Sequence, residues 1–317
     1  MDLQDWMSLL PEQLWDTPLT HLAIPGSHDT MTYNLDICSP LVKSEPDSLR
    51  RLDQFCCCFT RPVIYRWATT QDKTMEEQLS LGIRYFDLRI AHKPDDETTN
   101  LYFKHVIYTY DVVLDTLASL AAWLDSHPKE IVILACSHFE GMDDKLHRTF
   151  ITSLKKLFGS KLCPRQGSSL TLRGLWSSGH QVIVSYEAPI AYQYQELWPS
   201  ITYWWANQRT AEELISYMEK MKRAGRPWSF FVTGLNLTTD QNYIIMHLLQ
   251  SLRTLTYAEW PRLQDWVAQQ TPGSDPHSLN IIAGDFVGPL ALSRLVIDLN
   301  NKLLQKNSRK MDEINIH

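Results

Sequence analysis

The chain has 317 residues, 44% of them hydrophobic and 21% charged, which is the make-up of a folded globular protein and excludes wholesale disorder. Its formal charge of −6, with no basic tail and no run of Lys or Arg, excludes the concentrated positive surface that nucleic-acid binding needs. The same mild acidity gives no global pull towards anionic membranes.

In chain order, Met1-Asp2-Leu3-Gln4-Asp5-Trp6 has neither a basic n-region nor an apolar h-region, so no signal peptide is expected, and Asp2 argues against N-myristoylation. A first strand is expected at residues 21–24, ending in Pro25-Gly26 and then presenting Ser27-His28-Asp29. Residues 39–72 hold Pro40, Pro46 and Pro62 with scattered charge, and read as a loop or short helical excursion near a barrel rim. The triplet Cys56-Cys57-Cys58 in that stretch is neither a disulfide framework nor a CxxC metal pattern. It reads as buried or idle reduced thiols, with palmitoylation beside Phe55, Phe59 and Arg61 as the alternative.

Strands at 83–90 and 101–107 follow, then a helix at 111–126 stopped by His127-Pro128. A strand at 130–137 leads to a helix at 143–158 ended by Gly159. Strands at 181–186, 229–235 and 280–286 alternate with helices at 210–222, 240–252 and 289–304, the first opened by Thr210 as N-cap. Tyr203-Trp204-Trp205 reads as core packing, with contact at a membrane surface as the alternative. Asn236-Leu237-Thr238 matches a glycosylation acceptor by chance if the protein is cytoplasmic, and no transmembrane segment is expected.

This alternation predicts an α/β fold with a largely parallel sheet, a closed but irregular TIM-type (β/α) barrel. One domain is expected over 1–317, with its core at about 15–305. A doubly wound open sheet is the alternative, but neither G-x-G-x-x-G nor G-x-x-x-x-G-K occurs to support nucleotide binding.

The ionisable groups gather at the carboxyl ends of the expected strands, where such folds keep their chemistry. His28-Asp29 follows the first, Asp87-Leu88-Arg89 closes the second, His105 ends the third and Asp285 ends the last. Asp87 and Arg89 are two apart and share one face of a strand. Two histidines across a phosphate serve as base and acid in turn, and Asp285 is suited to orienting one of them. Any one of these residues alone has a structural explanation; their coincidence at strand ends favours an acid–base site acting on a phosphate.

The blocks IPGSHDT, GIRYFDLR from Gly82, FKH at His105 and the late IIAGDF resemble the X domain of phosphatidylinositol-specific phospholipases C. The likeness spans nearly the whole chain without pleckstrin, EF-hand, Y or C2 regions, and with DWMS, ELWP, YWW and IVILACSHFEG it is similar to the stand-alone X-domain-containing proteins. The resemblance implies a distorted barrel that cleaves phosphatidylinositol-type lipids to diacylglycerol and a cyclic inositol phosphate. His28 would deprotonate the inositol 2-hydroxyl, His105 would protonate the leaving oxygen, and Asp285 would hold the His28 tautomer. Asp29 would pair with His105 or Arg89.

Where the related signalling enzymes carry a calcium-ligating acid this chain has Arg89, and a further ligand position falls near Ser137. The resemblance to the arginine-bearing bacterial enzymes therefore implies no metal and no other cofactor, since calcium takes about six to eight oxygen ligands and is repelled by a guanidinium. His138, Tyr186, Glu187 and Asn236 would line the head-group pocket. The expected partner is a phosphoinositide lipid met in transient membrane-surface contact, by a cytoplasmic protein peripheral at membranes. A lipid-binding scaffold that keeps the barrel without turnover is the rival reading, and metal-dependent hydrolysis is disfavoured by Arg89.

Overall fold

Successive side chains of a strand take opposite faces, and here one alternate set packs against helices while the other converges inside a curled sheet. The computed structural model describes residues 3–166 and 169–305, so the expected domain limits at 1 and 317 lie outside the described residues. Among them, ten strands form one sheet. They are β1 (Ile24–Ser27), β2 (Tyr85–Ala91), β3 (Tyr102–His105), β4 (Ile107–Val112), β5 (Val132–Glu140), β6 (Val182–Tyr186), β7 (Leu197–Trp198), β8 (Thr202–Trp204), β9 (Phe231–Gly234) and β10 (Ile281–Gly284). The order is β7-β6-β5-β2-β1-β10-β9-β8, every neighbouring pair parallel. No ladder joins β7 to β8 among the described residues, so the TIM-type barrel curls round but stays open at that seam.

The helices are α1 (Trp6–Leu9), α2 (Asp47–Ala68), α3 (Met75–Ser80), α4 (Val113–Ser126), α5 (Asp144–Phe158), α6 (Leu172–Ser178), α7 (Ala211–Ala224), α8 (Gln241–Met246), α9 (Leu252–Gln269) and α10 (Leu292–Asp298). Outward-facing Phe86, Leu134, Val184 and Ile282 pack with α4, α5 and α7 in the larger core. Inward-facing Ile24, Tyr85, Ile133, Ile183 and Ile281 meet Trp6, Met7 and Leu14 of the amino-terminal segment, which plugs the floor of the barrel. Each such side chain, fully buried, contributes about 1.5–3 kcal/mol.

Several expected elements differ from the structure for local reasons. β1 lies three residues later than expected, because residues 19–21 form a 3₁₀ turn whose Leu19 and Leu22 carbonyls accept from the Asn280 amide at 2.9 and 2.8 Å. The expected strand at 101–107 is a hairpin: the chain reverses at Val106 (φ 64°), and β3 and β4 pair antiparallel beside β2. The apolar run continued through Ile107 and hid the turn.

The stretch 39–72, expected as a loop or short helical excursion, contains α2, a helix of 22 residues kinked at Cys56. Pro62 supplies no amide to the Cys58 carbonyl and its ring crowds the turn before it, and at the kink the Cys56 carbonyl accepts from Thr60 Oγ1 at 3.3 Å. Asp53 then takes Thr60 Oγ1 at 2.7 Å and Arg61 Nε at 2.6 Å, fastening the two halves together. The helix expected at 240–252 is short α8, followed by a corner and a new helix capped by Ser251, whose side chain accepts from the Thr254 amide. Strands β7 and β8 were not foreseen, being two and three residues long.

Candidate active site

Inward parity carries the chemistry to one end of the barrel. Tyr85, Asp87 and Arg89 alternate inward along β2, and in register Asp87 faces Ala135 and Arg89 faces Ser137 of β5. β1 runs out into His28 and β10 into Asp285. After three of the strand-end residues, and at the register shift inside β5, the next residue is left-handed without being glycine: Asp29 (φ 42°) after His28, Val106 (φ 64°) after His105, Phe286 (φ 49°) after Asp285 and His138 (φ 51°) after Ser137. Such backbone costs about 1–3 kcal/mol per residue and persists only where neighbours hold it. Here they do. The Asp29 amide donates to Asp87 Oδ2 at 3.1 Å, the His138 amide to Glu187 Oε2, and the Phe286 amide to the Thr70 carbonyl at 2.7 Å. The Val106 carbonyl accepts from the Val42 amide at 2.9 Å.

The charged groups form one network. Asp285 Oδ1 lies 2.8 Å from His28 Nδ1, and Arg89 Nη2 lies 3.0 Å from His28 Nε2. A guanidinium only donates, so in this contact Nε2 bears the lone pair and Nδ1 carries the proton given to Asp285. Asp29, fully buried, has Arg89 Nε 2.6 Å from Oδ1, with His28 Nε2 at 3.3 Å and His105 Nε2 at 3.4 Å from Oδ2. These are charge contacts and not aligned hydrogen bonds, since neither Asp29 oxygen has a donor in line. Asp29 thus meets both partners that the sequence left open. His105 Nδ1 donates to the Ala68 carbonyl at 2.6 Å, which leaves its Nε2 facing Asp29.

Burial resists ionisation of Asp29, yet Arg89 and the imidazoles of His105 and His28 prevail and hold the carboxyl at about 2. Burial alone would lower His28, but Asp29 and Asp285 outweigh it and raise the imidazole above 6.5. Burial raises Asp285 and lowers His138, the latter helped by Arg89. Arg89 itself is raised, because Asp29 and Asp87 outweigh its burial.

The network opens into a cavity of about 980 Å³. His28, Asp87, Arg89 and His105 reach it, as do His138, Glu187 and Asn236 of the expected head-group residues. Tyr186 does not. It follows inward Ser185 on β6, so parity turns it outward, where its hydroxyl meets His147 Nδ1 at 2.7 Å and its ring packs on Phe139 and Phe150. Asp29 and Asp285 stand just behind the cavity wall, holding the groups that reach it.

Sequence reasoning passed over Tyr85, Ser185 and Tyr203, all of which line the cavity. Tyr85 lies two before Asp87 and Ser185 two before Glu187, so counting by twos would have found both. Tyr203 was hidden in its aromatic run. That run splits: Trp204 is buried against Phe231, Trp205 is exposed at the rim, and the Tyr203 hydroxyl donates to Asn236 Oδ1 at 2.8 Å. Cys57 and Cys58 are exposed and Cys56 half-buried, so of the buried or idle thiols expected the buried alternative does not hold, and every cysteine is free.

His28, Asp29 and Asp87 offer ligand atoms within 4.8 Å of one another, the one such cluster among the described residues. The Arg89 guanidinium contacts all three, at 3.0, 2.6 and 3.6 Å. A divalent ion there would have to displace it or sit against its charge, so this donor set does not fit calcium while Arg89 keeps its position. No helix among the described residues is long and apolar enough to cross a membrane.

No family model matches the chain. It is 49% identical over 302 residues to PI-PLC X domain-containing protein 1 of Homo sapiens, covering 95% of this chain and 93% of that one. The protein of the same name from Danio rerio is 46% identical, with 94% and 96% covered, and the human PI-PLC X domain-containing protein 3 is 34% identical, with 95% and 94% covered. In fold the chain is similar to the phosphatidylinositol-specific phospholipase C of Listeria monocytogenes, with a TM-score of 0.66 at 20% identity over 95% of this chain and 99% of that one. A variant of the Staphylococcus aureus phosphatidylinositol-specific phospholipase C gives 0.65 at 15% identity, with 94% and 97% covered. On its full-length identity to these relatives, the chain belongs to the family of PI-PLC X domain-containing proteins.

Proposed function

We propose that this protein is a phosphodiesterase that cleaves phosphatidylinositol-type lipids to diacylglycerol and a cyclic inositol phosphate, using two histidines and no metal. The observation that carries the reading is His28 held between Asp285 and Arg89, with His105 on the far side of Asp29. His28 Nε2, bearing the lone pair, takes the proton of the inositol 2-hydroxyl as that oxygen attacks phosphorus. Arg89 donates to the phosphoryl oxygens as their charge grows, a charge-assisted contact that strengthens towards the transition state. His105, with Nδ1 fixed to the Ala68 carbonyl and Nε2 turned towards Asp29, passes a proton from Nε2 to the departing glycerol oxygen. Water then opens the cyclic product with the two histidines in exchanged roles.

His138, Glu187, Asn236 and Tyr203 surround the remaining space and offer donors and acceptors for inositol hydroxyls. Free thiols throughout the described chain are in keeping with a reducing, cytoplasmic setting, and exposed Trp205 at the rim with passing contact at a lipid surface.

Phosphorus NMR of phosphatidylinositol vesicles in excess EDTA, beside a His28→Ala control, tests the reading. A cyclic inositol phosphate signal from the wild type alone is expected. Silence that calcium relieves would overturn the role given to Arg89, and silence throughout would favour a lipid-binding scaffold.

A further inference from the structure

The cavity is larger than its reacting groups require. Its volume of about 980 Å³ lies at the top of the roughly 300–1,000 Å³ range of whole small-molecule sites. Most of the ionisable lining sits at the floor; above it the space runs between two apolar walls. α2 contributes Leu52, Cys56, Phe59 and Val63, a stripe at helical spacing of three and four. Ile244 and Ile245 of α8, with Leu248 beyond it, form the facing wall. The walls meet where Val63, Trp67, Ile244 and Leu252 share one cluster and Arg66 Nη2 donates to the Leu248 carbonyl at 2.6 Å. Away from that cluster the side chains of Leu52, Phe59, Ile245 and Leu248 stay exposed. Apolar stripes that face one another across a gap leave surface that water solvates poorly, and such surface marks a binding groove.

His105 says which part of a substrate the gap faces. Its Nδ1 is fixed to the carbonyl of Ala68, the last residue of α2, so the proton donor stands at the foot of this cleft. The oxygen it protonates carries the glycerol and its chains. Among the described lining residues Arg89 is the one guanidinium or ammonium, and it lies at the floor, so the apolar walls above it carry no fixed cation for a free fatty-acid carboxylate. We propose that the cleft between α2 and α8 holds an acyl chain of the lipid, so that the protein grips its substrate by tail as well as by head group. This rests on the phosphodiesterase reading above.

The test is turnover of dibutanoyl, dihexanoyl and diheptanoyl phosphatidylinositols kept below their critical micelle concentrations, with soluble cyclic inositol phosphate as a tail-less substrate. kcat/KM of the monomeric lipids should rise about two- to fourfold per added methylene, as burial of each group in a protein cleft requires. Leu248→Asp should flatten that rise, and Ile245→Asp repeats the test should the first variant lose its circular dichroism. Rates that ignore chain length until micelles form, or a rise untouched in both folded variants, would overturn the inference and assign the apolar walls to a lipid surface. Turnover of no substrate, the cyclic one included, would remove the phosphodiesterase reading instead.

Discussion

Arg84 and Arg89 are five residues apart at opposite ends of the same strand region, and they differ in how their hydrogens are spent. Arg84, with its side chain 0% exposed, donates from Nε and Nη2 to Glu130 at 2.9 and 2.7 Å, and from Nη1 to the Leu79 and Ile83 carbonyls. Its Nη2 also reaches the Gln4 carbonyl at 2.5 Å. Arg89, 23% exposed, touches Asp29, Asp87 and His28, its Nε out of line with any acceptor, and it faces the cavity. A saturated guanidinium under the barrel ties the amino-terminal plug to the sheet; an unsaturated one at the mouth is ready for a ligand. Residue type alone does not distinguish them, whereas the count of satisfied donors does.

The largest effects test the mouth of the barrel. His28→Ala and His105→Ala should each lower kcat by about 10²–10⁴-fold with circular dichroism unchanged, since each removes one proton-transfer partner; near wild-type turnover in either folded variant would break the assignment. Arg89→Gln is expected to cost about 10²–10³-fold in kcat, the effect of losing one transition-state donor. It should also move the acidic limb of the pH profile upwards, because Arg89 lowers the His28 pKa. A limb that stays still would separate Arg89 from His28.

Arg84→Met should do the reverse. It strands Glu130, whose carboxyl burial already pushes up, and should destabilise the fold by about 3–5 kcal/mol while kcat per folded molecule holds. Denaturant melts with active-site titration would check both halves of that statement. Adding Glu130→Leu should restore part of the loss, and only part, because the Leu79, Ile83 and Gln4 carbonyls still lack their donor.

The smallest effect is in pH. His28 has a raised folded pKa, so its contribution to stability is complete below 6.5 and is lost as pH climbs through the raised value. Activity needs the neutral imidazole and should climb over the same interval, so kcat/KM and Tm should move in opposite directions there. The Asp29 contribution has the other sign: it is present above 3.8 and is lost as pH falls towards about 2. Parallel movement of Tm and kcat/KM above 6.5 would contradict the linkage.

What was legible in the sequence depended on local patterning. Parallel strands at the ends of which His28, Asp87, Arg89 and Asp285 stand were visible as apolar runs, and Gly159 and Thr210 marked helix ends that the structure keeps. α2 was hidden because Pro46 stands at its start and Pro62 sits inside it, and both residues read as helix breakers. The hairpin carrying His105 was hidden because its turn uses Val106, a β-branched residue that strand propensity favours and a left-handed turn does not. Motif position alone suggests that Tyr186 lines the pocket, whereas strand parity turns it outward to His147.

The left-handed residues after His28, His105, Ser137 and Asp285 bear on how the charges wait for substrate. A non-glycine residue pinned at such a φ by a hydrogen bond cannot swing, so the side chain before it inherits a fixed heading even where the chain beyond is exposed. On the proposed function, the imidazoles and the carboxylate of Asp285 are therefore aimed before the lipid arrives. Little of the surrounding dipole has to turn when charge develops on a phosphoryl oxygen, and low reorganisation of this kind is how a rigid polar site lowers a barrier that water, which must reorient, cannot.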